Sequence, residues 1–203
     1  MLTAMQNQPL TLVADRRPWV RRLDLDPRRI AALTAVGYLS LSWIASTLNE
    51  RNDLGSVTRP AAGLALAAAL LVPTRQWIWV AVGITFGQSA FIFVNGAPIG
   101  VALAGSAAAC IEAFVGAGVV RRLGNADGEL IPVRNYLSFL IGGVVVGPLV
   151  AGVVGMFVLS AAGADVMNRM PHLRLSDMLG ILIFAPLILA PAGRVRRSRT
   201  ETV

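Results

Sequence analysis

The chain has 203 residues, of which 55% are hydrophobic and only 14% charged, and its mean hydropathy is +0.66. Soluble domains carry about a quarter charged residues, so a soluble globular protein is excluded. The formal net charge is +7 and all 18 basic residues are arginine; because these arginines flank apolar runs, they read as markers of the cytoplasmic side of a membrane, and nucleic acid is not expected as a partner.

In chain order, residues 1–29 are polar and rich in arginine. Arg16, Arg17, Arg21, Arg22, Arg28 and Arg29 stand among Asp15, Asp24 and Asp26, and Pro18 and Pro27 disfavour a long helix. The segment lacks the apolar core of a signal peptide. It reads as a cytoplasmic flank that fixes orientation, or as a basic segment for anionic lipid or a partner. A first span is predicted over residues 30–48, with a partly polar face carrying Tyr38, Ser40, Ser42 and Trp43.

The second apolar run, residues 60–73, is short, covering about 20 Å as a helix. Pro60 suits a first helical turn, where its missing N–H is not needed. A tilted short span and a re-entrant half-helix are both open. If the run crosses, fourteen arginines fall inside and four outside; if it re-enters, the split is eight to ten. The positive-inside rule therefore favours six spans with both termini cytoplasmic.

The remaining spans are predicted over residues 76–94, 98–120, 136–160 and 177–192. Trp77 and Trp79 beside Arg75 form an interfacial belt. Gly83 with Gly87, Gly143 with Gly147, and the alanine pairs Ala104/Ala108 and Ala113/Ala117 have the spacing that lets helix backbones approach closely in lipid. They are expected to pack the bundle internally; a homodimer seam is the other reading. The expected organisation is a cytoplasmic arginine-rich segment (1–29), a membrane-embedded domain (30–192) and a basic cytoplasmic tail (193–203). The fold class is all-α, a polytopic transmembrane bundle in the lipid bilayer.

Few residues in such a chain can carry chemistry. Glu112 lies in an apolar run roughly 13 Å from Arg121, near the middle of a hydrocarbon layer about 30 Å thick. A charge there costs roughly 2.5–3.5 kcal/mol on insertion scales. It is either an ion, proton or ligand site, or a polar clip between helices. Thr85, Gln88 and Tyr38 lie at matching depth. Asp177 caps the start of the last span together with Ser176, or faces a ligand at the outer surface, with Arg174 three residues away as a pairing candidate. His172 is the only histidine and reads as a solvated loop residue. The lone cysteine, Cys110, can form no intrachain disulfide. No GxxxxGKS/T, HExxH or GxSxG string occurs, nor GGDEF or EAL, and no ligand-spaced cluster; no enzymatic activity, cofactor or metal is expected.

Three stretches carry a family resemblance. RPAAGLALAAALLVPTRQWIWVAVG is similar to a W-P-x-G-apolar-G-x-x-x-W opening, GSAAACIEAFVGAGVVRRLG to a GNxxEAxxGAxLLRR helix, and SDMLGILIFAPLIL to a DxLGxLxxAPLxL closing helix. Their order and spacing resemble the membrane-associated sensor domain of the first MASE class over residues 37–192. Such domains are bacterial membrane input modules, usually placed ahead of cyclic-dinucleotide enzymes or histidine kinases. The resemblance puts Pro60, Gly63, Glu112, Asp177, Gly180 and Pro186 on motif positions. The chain departs at Arg59, where the pattern has tryptophan, at Ala109, where it has asparagine, and at Arg174–Ser176, where it has tryptophans. The pattern often has about eight spans; six are expected here. The resemblance implies a sensory module that perceives a ligand, and with no output domain in the sequence it is expected to signal through a separate enzyme partner. The rival readings are a small transporter or a substrate-binding subunit of the vitamin-binding energy-coupling-factor type, and a membrane scaffold.

Overall fold

The computed structural model describes residues 25–52, 59–124, 132–161 and 170–194; they are helical almost throughout, with no strand among them. Helix α1 (Pro27–Asn52) is followed by α2 (Pro60–Leu71), and a 3-10 turn (Thr74–Gln76) leads into α3 (Trp77–Val94). After α4 (Ile99–Leu123), α5 (Pro132–Ser138) continues through a π-helical segment (Phe139–Val146) into α6 (Gly147–Ala161), and α7 (Met170–Arg194) closes the order. Among the described residues, four stretches are long and apolar enough to cross a membrane: Pro27–Leu48, Thr74–Val94, Ile99–Leu123 and Val133–Val158. Pro60–Leu71 and Leu175–Ala190 are shorter apolar helices. Large apolar side chains such as Phe86, Phe157 and Leu187 face outward, as a protein whose solvent is hydrocarbon requires. The chain is an all-helical, multi-pass membrane protein.

The short helix α2 is the core. Ten of its twelve residues are buried, and it packs against α7, α4, α1 and α3. Its sequence, PAAGLALAAALL, makes this possible. Side chains no larger than leucine let four helices close around one, and alanine and leucine are strong helix formers. Leu66 and Leu70 join Val120, Phe139 and Ile181 on one side, while Ala61 and Ala65 join Tyr38, Val80 and Ile84 on the other. The helix ends before Pro73, which disfavours helical geometry at its predecessor.

The last carbonyls of a helix have no partner within it. In α2 they are met by neighbours. Arg121 Nη2 donates to the carbonyls of Ala69 (2.7 Å), Leu70 (3.3 Å) and Val72. Trp77 Nε1 also donates to the Ala69 carbonyl, at 2.9 Å. The guanidinium lies 5.1 Å from the Trp77 ring centre, and Trp77 stacks on Phe114. A cation here also complements the negative end of the helix dipole. Arg121→Gln, which keeps a donor but removes the charge, is expected to cost about 2–3 kcal/mol of stability, since hydrogen bonds from charged donors are the stronger kind. The loss should appear as a lowered melting temperature in detergent, together with a shift in Trp77 fluorescence.

The small-residue pairs pack within the chain. A Cβ added at Gly83 or Gly87 would lie 2.7 Å from the carbonyl oxygen of Ala31 or Ala35, so α3 rests directly on the backbone of α1. The π-helical segment has a cause in Pro148, which offers no N–H to Val144 and whose ring crowds that carbonyl. Gly147 N–H bonds instead to Gly142, five residues back. Gly147 then sits where a Cβ would be 2.8 Å from the Glu112 carbonyl, which presses this rod against the α4 turn carrying Glu112.

Candidate functional site

The N-terminal end of α2 meets the first turns of α7. Two glycines allow the contact. A Cβ at Gly63 would lie 2.6 Å from the Gly180 carbonyl, and one at Gly180 would collide with the backbone of Arg59. Arg59 N–H donates to the Ser176 carbonyl at 3.0 Å, and the Arg59 carbonyl accepts from Ala62 N–H at 3.0 Å. With the backbones fixed this way, Arg59 Nη1 reaches Asp177 Oδ1 at 2.9 Å. Asp177 is 0% exposed and the Arg59 side chain 30%.

Two further helices complete the group. Tyr38 from α1 is 1% exposed and Glu112 from α4 is 5% exposed. Both lie within electrostatic range of Arg59, and Tyr38 also within range of Asp177. The cluster therefore joins α1, α2, α4 and α7 through one cation, two carboxyl groups and a phenol.

The depth-matched residues divide into two groups. Tyr38 stands with Glu112 and Asp177. Thr85 and Gln88 belong to the seam between α3 and α4, next to the cluster: Cys110, which Thr85 approaches, is within electrostatic range of Tyr38. There Thr85 Oγ1 lies 3.9 Å from Cys110 Sγ, Ser89 and Ser106 hydroxyls are 2.9 Å apart, and Ser106 donates to the Ala102 carbonyl at 2.9 Å. The buried Gln88 amide nitrogen is 3.7 Å from where a Cβ of Gly105 would be. Pro60, Gly63 and Gly180 gather at the α2–α7 crossing; Pro186 lies farther along α7, next to the buried Ala185.

The structure alters the reading of Asp177. Helix α7 begins at Met170, with Pro171 in its first turn. Asp177 is thus two turns inside the helix, and Ser176 and Asp177 do not cap its start. The stretch expected as loop up to residue 176 is helical from Met170 onward. The side chains of His172 and Arg174, and residues 1–24 and 195–203, lie outside the described residues. Arg59 was the partner missed. Its signal was its place directly before Pro60, on a motif position.

Three His, Cys, Asp or Glu side chains able to hold a metal do not come together among the described residues. The cluster's chemistry is that of charge recognition in a low-dielectric interior, where an ion pair and its neighbours interact far more strongly than in water. In the comparisons with known proteins, the model of the family described as MASE1 matches residues 28–201. None of the curated proteins and none of the solved structures matches the chain.

Proposed function

Because the chain belongs to the MASE1 family of membrane-associated sensory domains, we propose that it is a sensory module of a bacterial inner membrane that perceives a ligand at the Arg59–Asp177 cluster and passes the signal to a signalling enzyme. The observation carrying this reading is the joining of four helices by one buried charged group at the end of the central helix. A ligand that binds one arrangement of those helices better than another shifts their equilibrium by its differential affinity. Helix α2 is suited to transmit the shift, since Asp177 holds one end and Arg121 the other. We place both termini and the arginine-rich loops on the cytoplasmic face, where a partner would read the change. The family is sensory rather than catalytic, and the module itself is assigned no reaction.

The reading predicts the outcome of affinity capture from detergent-solubilised membranes. A cyclic-dinucleotide enzyme or a kinase should be recovered with the wild-type chain. Recovery of a transport ATPase in its place would overturn the sensor reading in favour of a substrate-binding transporter subunit.

A further inference from the structure

We propose that the corner where α4 ends and α5 begins is a binding site for an anionic phospholipid, held through Arg122 and Arg134. The inference goes beyond the sensor reading and uses none of the residues of the Arg59–Asp177 cluster. The two arginines at the end of α4 divide. Arg121 turns inward to the carbonyls that end α2, while Arg122 is exposed. Arg134, in the first turn of α5, is exposed as well, and its Nε donates to the Leu123 carbonyl at 3.2 Å. That bond holds the Arg134 guanidinium against the end of α4, at the residue next to Arg122. Around the pair stand the exposed apolar and aromatic side chains of Leu123, Val133, Tyr136 and Leu137.

Two cations beside exposed apolar side chains match a molecule that is anionic at one end and hydrocarbon at the other. A guanidinium presents its N–H donors in a planar fork that fits a pair of phosphate oxygens. Leu123, Val133 and Leu137 would meet the acyl chains. Tyr136, with an apolar ring and a polar tip, suits the level between chains and headgroup. The position in the bundle agrees. Gln76 Nε2 donates to the Leu25 carbonyl at 3.3 Å and Trp77 stands against Arg121, so the corner lies at the end where α1 and α3 begin. That is the end we place on the cytoplasmic face, whose leaflet carries the anionic lipids. A headgroup with net negative charge is favoured over phosphatidylcholine or phosphatidylethanolamine, whose ammonium groups would stand beside the guanidiniums. A free phosphate ester has no chains to cover the apolar side chains.

The probe is phosphatidylglycerol, added in rising mole fraction to phosphatidylcholine nanodiscs that hold the full chain. The expected result is a saturable rise in melting temperature, roughly 3–6 °C at about ten times the half-saturating fraction. Arg122→Gln and Arg134→Gln should each raise that fraction about fivefold, the factor for one basic residue at an anionic surface. Their combination should abolish the rise. Arg28→Gln with Arg29→Gln removes the same charge from the exposed start of α1 and should leave the half-saturating fraction nearly unchanged. No rise with phosphatidylglycerol, or an equal loss in the two double variants, would overturn the assignment; the second result would mean a general attraction of the basic end for an acidic surface. A protein captured from solubilised membranes by the wild type but not by the Arg122 and Arg134 double variant, with phosphatidylglycerol inert, would give the corner to an acidic partner instead. Arg122→Gln carries the test even where Arg134→Gln, which also loses the bond to Leu123, fails to fold. Failure here leaves the sensor reading as it stands, since that rests on other residues.

Discussion

Arg59→Met is expected to destabilise the protein by about 3–5 kcal/mol, and adding Asp177→Leu to recover most of that loss. The reasoning starts from burial. Asp177 is fully enclosed, and its charge is tolerated because a guanidinium stands 2.9 Å away. Removing the guanidinium takes this counter-charge from a carboxylate that water does not reach. Replacing both partners by apolar groups removes both charges, and such replacements of buried pairs are often neutral. The two single variants should differ. Asp177→Leu alone leaves Arg59, whose partial exposure lets it turn toward water, so its loss should be the smaller. Thermal melts of the four proteins in one detergent form a double-mutant cycle. Additive losses would mean that the two groups do not act as a pair.

That pair also shows where reading the sequence stops. Helical spacing gives neighbours three and four residues away, and on that basis Arg174 is the natural partner for Asp177. The Arg174 side chain lies outside the described residues; the partner seen among them is 118 residues away, because the α2–α7 crossing brings it there. Nothing in local periodicity encodes such a crossing. The glycines that permit it, Gly63 and Gly180, could be located as motif positions but not matched to each other. The start of α7 was hidden for a different reason. Residues 170–176 are polar and contain a proline, which reads as loop, yet proline is at home in a first helical turn.

Other features were open to the sequence because they depend on composition and depth. The apolar runs mark every helix, since a chain in hydrocarbon must satisfy its backbone within each segment. Counting residues from the membrane edge puts Tyr38 at the depth of Glu112, on the assumption that both helices run close to parallel. The same counting put Thr85 and Gln88 at that depth, but depth says nothing about which way a side chain turns around its helix. Thr85 turns toward Cys110 and Gln88 toward Gly105. Arg121 looked like an interfacial arginine, and its service to the end of α2 follows from that helix being too short to reach the same level. At about 1.5 Å per residue α2 spans roughly 18 Å, so its terminal carbonyls need a protein partner.

Gly180→Ala tests whether the crossing itself holds the cluster together. One methyl group is added, yet it would collide with the peptide backbone of Arg59, which cannot rotate away as a side chain would. The helices must separate. Overpacking typically costs 1–3 kcal/mol and occasionally more; with backbone as the obstacle we expect about 3 kcal/mol or above. Gly118→Ala in α4 is the matched control, because nothing lies within 4 Å of the Cβ it would add. There the better helix propensity of alanine should leave stability unchanged or raise it by up to about 1 kcal/mol. Separation of α2 from α7 would also draw the Arg59 guanidinium away from Asp177, since the two are aligned by the backbone bond to Ser176. In the Gly180→Ala background, then, Arg59→Met should cost clearly less than in the wild type. If it costs the same, the ion pair forms without the close crossing, and Gly180 serves packing alone.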